Sequence, residues 1–294
     1  MAARDSQHLN GIMLMIAAYG MFSLLDASAK YLLGQLNPPT IVFMRYVIGL
    51  GLTLLWIAWR RQPGIFRSEH PRTQAVRGVL LLASTACNFT ALQYLQLAQT
   101  AAIMFSGPLW VCALSHLMLK EPVGPRRWAA VIAGFGGVLI IMRPGLEGFH
   151  PAMLLSLLAA LTVALYQLTT RRVGADDRSE TSLFYGTLWG AVFAFPGTIF
   201  AFEPPSGWQW PLLAFAGFCG SFGHYLLIAA HRVAPASLLA PFSYTQIVWM
   251  ALLGFLLFGQ IPDRMTLLGG TIVIASGLYV LHRERLAAAR EPVV

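Results

Sequence analysis

About ten apolar stretches, each near the length of a membrane crossing and joined by short turns, decide what this 294-residue chain can fold into. In the first half they run over Leu9–Leu33, Thr40–Trp59, Val76–Leu95, Thr100–Leu119 and Trp128–Met142. In the second they run over Ala152–Thr170, Ser182–Phe202, Trp210–Ala230, Ser237–Phe258 and Met265–Leu281. An α-helix needs about 20 mostly apolar residues to cross a bilayer, and within hydrocarbon only helices or closed barrels satisfy every backbone N–H and C=O. The expected fold is therefore an all-α integral membrane protein with ten transmembrane helices. Only 11% of the residues are charged, against about 25% in soluble domains, so no stretch is polar enough to form a water-facing domain. The net charge of +8 comes from basic residues scattered between apolar runs. With no basic face, no nucleic-acid partner is expected; the expected partners are the lipid bilayer and a small-molecule substrate. Cys87, Cys112 and Cys219 lie inside apolar spans without metal-ligand spacing, so neither a metal nor a cofactor is expected.

The basic residues set the topology. With the N-terminus in the cytoplasm, Arg60, Arg61, Arg67, Arg72, Arg77, Lys120, Arg126, Arg127, Arg171, Arg172, Arg178, Arg232, Arg283, Arg285 and Arg290 fall inside, and only Arg143 and Arg264 fall outside. That bias satisfies the positive-inside rule and puts both termini in the cytoplasm of a multi-pass protein of the bacterial inner membrane. Ala27-Ser28-Ala29 superficially resembles a signal-peptidase site, but Asp26 interrupts the apolar segment before it, so an uncleaved first helix is expected.

Five spans per half is an odd number, so the halves enter the membrane from opposite sides. Residues 9–145 form a first five-helix repeat, 150–283 an inverted second, and 284–294 a short cytoplasmic tail. A sequence echo supports the division. Leu97–Pro108 has a counterpart in Val233–Tyr244, and Asn88-Phe89 ahead of the first stretch matches His224-Tyr225 ahead of the second. Inverted repeats place a binding site near the midplane and expose it to each side in turn.

Longer motifs carry a family resemblance. Lys30-Tyr31, Phe43-Met44-Arg45-Tyr46, LKEPVGPRRWAAVIAGFGGVLIIMRPG from Leu119 to Gly145, PFSYTQIVWMALLGFLLFGQIPD from Pro241 to Asp263, and GGTIVIASGLY from Gly269 to Tyr279 resemble the ten-helix EamA-type branch of the drug/metabolite transporter superfamily. The likeness spans nearly the whole chain. It implies a carrier of amino acids, nucleotide sugars, polyamines or other metabolites, with bacterial amino-acid exporters the nearest flavour. Gln260 departs from the Glu that many members carry near that position, while the first half keeps Glu121.

Candidate site residues follow from where polar groups interrupt apolar spans. Pro108 and Pro241 lack an N–H and break their helical ladders, and such breaks persist in a membrane only where protein or a wet cavity satisfies the freed groups. Beside them lie Ser106, Trp110, Ser243, Tyr244, Gln246 and Trp249; facing helices supply Asn88, Phe89, Tyr94, His224 and Tyr225, and the sixth span Tyr166 and Gln167. These give aromatic walls, a few hydrogen-bonding groups and almost no fixed charge, a lining suited to a zwitterion with an apolar or aromatic side chain. Ionisable residues within spans are functional hypotheses by default, which adds Asp26, Lys30 and Arg45 as an ion-pair cluster, an outer gate or carboxylate-recognition point, or a coupling site. Asp26 and Lys30 share one helical face. The small residues Gly134–Gly137, Gly269-Gly270 and Gly277 imply close packing in the fifth and tenth helices, or a homodimer through them.

Together these features imply a secondary transporter that works by alternating access and exports small metabolites, foremost neutral and aromatic amino acids. The alternative is an uptake carrier for S-adenosylmethionine or another nucleoside-like compound. A membrane-embedded enzyme is the remote alternative: the chain has no HExxH, GxSxG or paired intramembrane carboxylates, and no Walker loop for ATP-driven pumping.

Overall fold

Prolines and left-handed caps punctuate the chain where the turns fall. In the computed structural model, which describes residues 2–60, 64–119, 124–173 and 177–288, the helices are α1 (Ala2–Leu32), α2 (Pro38–Arg60), α3 (Pro71–Leu92), α4 (Leu97–Met104), α5 (Gly107–Leu119) and α6 (Pro125–Met142). There follow α7 (Ala152–Val173), α8 (Ser179–Ile199), α9 (Gln209–Val233), α10 (Ala236–Leu239), a 3-10 turn over Ala240–Tyr244, α11 (Thr245–Phe258) and α12 (Arg264–Ala288). Proline occupies the first helical turn of α2, α3 and α6, where its missing N–H costs nothing. Arg143 (φ 49°) ends α6 and Gly259 (φ 63°) ends α11 in the left-handed region. The contrast between Glu121 and Gln260 cannot be followed, because Glu121, like Arg61, Lys120 and the tail beyond Ala288, lies outside the described residues.

Two spans are broken, at the two expected places. The fourth divides at Phe105-Ser106 into α4 and α5, and the ninth consists of α10, the 3-10 turn and α11. Counting each broken span once, ten segments cross the bundle. Among the described residues nine are long and apolar enough to span a membrane; the tenth, α8, has 21 residues diluted by Thr, Gly and Ser. Leu55, Ile132, Leu139, Val248 and Leu256 lie on the outside, as a lipid-facing surface requires.

The packing is two-fold pseudo-symmetric. α1 lies along α9 as α3 lies along α7; α3 packs on α8 as α2 packs on α9; α1 meets the broken ninth span as α7 meets the broken fourth. α2 with α8, α4 with α11, and α6 with α12 pair across the pseudo-axis. These are two inverted repeats. The termini share one face, here the terminal face, with the α2–α3 and α7–α8 connections; the α1–α2 and α8–α9 connections lie on the opposite face.

Most glycines of the fifth and tenth spans, Gly136 excepted, are spent inside one chain. A Cβ on Gly137 would stand 2.8 Å from the Gly269 carbonyl oxygen, and one on Gly269 would stand 2.5 Å from the Gly137 oxygen. α6 and α12 therefore touch backbone to backbone, the geometry small residues permit in membranes.

Candidate functional site

A narrow cleft runs from mid-membrane toward the terminal face. It is lined by Arg45, Tyr46 and Gly49 of α2, Leu81 of α3, Tyr166 of α7, Ser182, Leu183, Gly186 and Thr187 of α8, and Gly217, Gly220, Ser221 and His224 of α9. Four glycines thin its walls. Gly190, one turn beyond Gly186, receives the Tyr46 ring, whereas the nearest atom to a Cβ on Gly186 would be Leu81 Cδ2 at 3.9 Å. The wall is thus filled at Gly190 and open at Gly186.

Arg45 dominates the deep end. Its Nη1 donates to Thr85 Oγ1 at 2.9 Å, Tyr46 Oη lies 3.0 Å from the same hydroxyl, and the guanidinium sits 4.8 Å from the Tyr46 ring centre. Its Nε is buried without a hydrogen-bond partner, beside the bare backbone of Gly220. A fixed cation in the cleft departs from the nearly charge-free lining expected. Asp26 is buried on α1 and accepts from Asn88 Nδ2 at 3.1 Å. Lys30 does not complete an ion pair with it. Its Nζ donates to the Leu92 and Leu95 carbonyls at 2.7 and 2.6 Å, because the C-terminal end of α3 offers it unpaired acceptors.

Of the other expected residues, Tyr166 and His224 line the cleft, His224 meeting Phe22 edge-on at 5.0 Å. Phe89 is core. The neighbourhood of the helix breaks is filled by side chains rather than open. Tyr244 is buried, its ring 4.9 Å from that of Phe105, and its hydroxyl is seated on Gly277. Ser106 is buried with an unpartnered hydroxyl, Ser243 donates to the Ala240 carbonyl at 2.7 Å, and Trp110 packs edge-on against Phe135. Gln246 is half-buried on α11, and Trp249 lies against Gly20, partly exposed. Three residues are displaced outward: Tyr94 stacks on His150 in an exposed turn, Gln167 is exposed, and Tyr225 faces out with Trp56 and Phe222.

Behind the cleft wall stands a residue not singled out from the sequence as a site residue. Arg77, counted above among the cytoplasmic loop charges, is 2% exposed. Its Nε donates to Thr170 Oγ1 at 2.9 Å, its Nη2 to the Tyr166 hydroxyl at 3.2 Å, and its Nη1 to Gln74. It therefore holds the Tyr166 ring against the cleft wall. The only sequence signal was the Gln74/Arg77 pair one helical turn apart at the start of α3.

Polar clasps join the halves on both faces. On the terminal face Asp177 accepts from the Glu69 N–H at 2.9 Å, from Gln74 Nε2 at 2.7 Å and from Ser68 Oγ. Burial pushes its carboxyl up, but the bonds from Ser68, Gln74 and Glu69, with His70 nearby, outweigh that and hold it below the usual range. A depressed carboxylate stabilises the fold above its unfolded pKa and loses that contribution as pH falls through its folded value. Asp177→Asn should therefore lower the thermal midpoint in detergent by a few degrees, equally from pH 7 to about 5, and the gap to the parent should shrink below about pH 4. A gap that does not change with pH would refute the assignment. On the opposite face the Asn37 N–H donates to Glu203 Oε2 at 2.8 Å, the Glu203 N–H to Thr40 Oγ1 at 3.0 Å, and Gln209 Nε2 to Gln35 Oε1 at 3.2 Å.

A cleft between inverted halves of a helical bundle, with the halves clasped at both membrane faces, is the architecture of a membrane carrier. The chain belongs to the EamA-like transporter family, whose sequence profile matches residues 9–143 and 150–282. It is 26% identical to an S-adenosylmethionine uptake transporter of Rickettsia felis, over 97% of this chain and 96% of that one. It is 28% identical to a riboflavin transporter of Rhizobium johnstonii, over 97% and 95%, and 27% identical to the pseudopaline exporter CntI of Pseudomonas aeruginosa, over 94% and 97%. A solved crystal structure at 21% identity superposes with a TM-score of 0.64, covering 96% of this chain and 99% of its own, and shares the fold.

Proposed function

We propose that this chain is a secondary carrier that works by alternating access and exports small carboxylate-bearing metabolites, neutral and aromatic amino acids foremost, across the bacterial inner membrane. The observation that carries the cargo class is Arg45, whose Nε is buried without a partner at the deep end of the cleft. A guanidinium in a low-dielectric site recognises a carboxylate with charge-assisted hydrogen bonds, and Tyr46, Tyr166 and His224 offer flat surfaces to the rest of the cargo. The bias of arginines toward the terminal face supports cytoplasmic termini and a cleft open to the cytoplasm. The family and the relatives' names support a carrier over an enzyme. A homodimer through α6 and α12 would have to use their outward faces, around Ile132, Gly136, Leu139, Leu267 and Leu268, because Gly134, Gly137, Gly269 and Gly277 are already engaged.

A second reading, uptake of S-adenosylmethionine or another nucleoside-like metabolite, draws on the relatives named as an S-adenosylmethionine uptake transporter and a riboflavin transporter. Proteoliposomes separate the two. Counterflow is measured with phenylalanine, leucine, S-adenosylmethionine and riboflavin, with and without a pH gradient, and flux direction is then read in right-side-out vesicles. Amino-acid counterflow with net efflux supports the export reading; S-adenosylmethionine counterflow with net influx replaces it; no counterflow by any of the four overturns both.

Cleft width supplies a further check. Gly186→Leu has room at its Cβ, so folded yield should match the parent. The added side chain should fill the space beside Tyr46 and cut flux about tenfold or more, as lost pocket volume does to cargo of fixed size. Unchanged flux would put the cargo elsewhere.

A further inference from the structure

One break in the pseudo-symmetry falls at the cleft. α3 is packed against α1 and α2, but its counterpart α9, among the described residues, is not packed in the same way against α7 and α8. The first interface is closed by a row of polar bonds: Arg45 and Tyr46 to Thr85, Asn88 to Asp26, and Lys30 to the Leu92 and Leu95 carbonyls. The second interface is the cleft.

The repeat register says which residues stand where those bonds would be. Asn88 and Phe89 align with His224 and Tyr225, so Thr85 aligns with Ser221. Gly49 of α2 and Gly186 of α8 face the cleft from the paired helices, and one turn before each stand Arg45 and Ser182. Asn37 and Asp177 hold the clasps on the two faces, and eleven residues before each stand Asp26 and Tyr166. Tyr166, Ser182, Ser221 and His224 all line the cleft. The residues that line the cleft in one half thus stand where residues bonded to one another stand in the other; Tyr166 and Ser182 are held meanwhile by Arg77 and Gln74 of α3.

We propose that these four residues are the second gate. In the alternate state α9 docks on α7 and α8, bringing Ser182 to Ser221 and Tyr166 to His224. The bonds of Arg45 to Thr85, Asn88 to Asp26 and Lys30 to the α3 carbonyls are then released, and α3 parts from α1 and α2. The two clasps are closed on both faces at once, so they belong to the frame about which the gates move, not to either gate. This inference rests on the alternating-access reading above and names the residues that carry it.

The test uses the full chain in detergent, with Cys87, Cys112 and Cys219 replaced by alanine and the pair Ser182→Cys, Ser221→Cys introduced. Disulfide formation under a mild oxidant is followed by intact mass. Cross-linking should be slow in this background. Lys30→Gln, which weakens the first gate alone, should speed it about tenfold by moving the population toward the alternate state. Thr85→Val, which removes one hydroxyl at constant volume, should move it the same way and serves if the Lys30 variant does not fold. Cross-linking that never forms, or that neither substitution accelerates, overturns the gate. No cargo enters this measurement, so it is distinct from the flux assay. Responsive cross-linking in a protein that transports nothing would sink the carrier reading and leave the gate; transport with unresponsive cross-linking would sink the gate alone.

Discussion

Replacing Gly269 with valine should leave almost no folded, monodisperse protein, the largest loss expected of any single change outside the cleft. The Cβ would stand 2.5 Å from the Gly137 carbonyl oxygen, 2.6 Å from Ile141 Cγ1 and 3.2 Å from the Ile141 nitrogen. Two of these neighbours are backbone atoms of a helix held along its length, so no rotamer change relieves the overlap and α6 and α12 must separate. Overpacking a core by a methylene or two costs about 1–3 kcal/mol where side chains can yield; a backbone-to-backbone seam cannot yield, and net stabilities are only about 5–15 kcal/mol. Gly137→Val should behave the same way, since its Cβ would meet the Gly269 oxygen at 2.8 Å and Ile272 at 3.0 Å. Gly136→Leu is the control: nothing lies within 4 Å of its Cβ, and its yield should equal the parent's. Size-exclusion profiles of detergent extracts decide the matter. A normal profile for Gly269→Val would mean that α6 and α12 do not touch as described.

The spans and their breaks were legible because hydropathy and proline act locally. A run of twenty apolar residues and a Pro108 or Pro241 inside it mean the same thing whatever packs around them. Which face of each helix points inward was not legible. A helix apolar on all sides has no moment to tell core from lipid, so Tyr94, Gln167 and Tyr225 were grouped with a cavity that they face away from. Gly137 and Gly269 announced close packing, but only the tertiary structure says that each is the other's partner. Arg77 is the instructive case. A lone arginine near the end of a span reads as a topology signal, and its burial depends on Tyr166 and Thr170 from a helix about ninety residues away. The direct partner of Lys30 was hidden for a related reason. Spacing put Asp26 and Lys30 on one helical face, but the carbonyls at the end of α3 compete for the ammonium.

Arg45→Gln should reduce flux at low cargo concentration by about tenfold to a hundredfold, the range set by losing a charge-assisted bond of roughly 1.5–3 kcal/mol. The arginine is half-committed to structure: Nη1 serves Thr85, while Nε has no partner. Glutamine removes both roles, so two further variants are needed to tell them apart. Gly220→Ala would bring a methyl to 3.5 Å from Nε and 3.6 Å from Leu25 Cδ2, ordinary contacts that leave the helices where they are. It keeps the bond to Thr85 and covers only the face of the guanidinium turned to the cleft. If Arg45 binds a carboxylate, Gly220→Ala should raise the KM for cargo with little change in the maximal rate. Arg45→Lys, which keeps the charge but loses the planar fork, should fall between parent and glutamine. The cargo can be varied as well as the protein. A decarboxylated analogue should be a poor substrate for the parent, and Arg45→Gln should not distinguish it from the full cargo, because the interaction each change removes is the same one. Should Arg45→Gln still prefer the carboxylate, the anchor lies elsewhere in the cleft, and Arg45 serves only to hold α2 against α3.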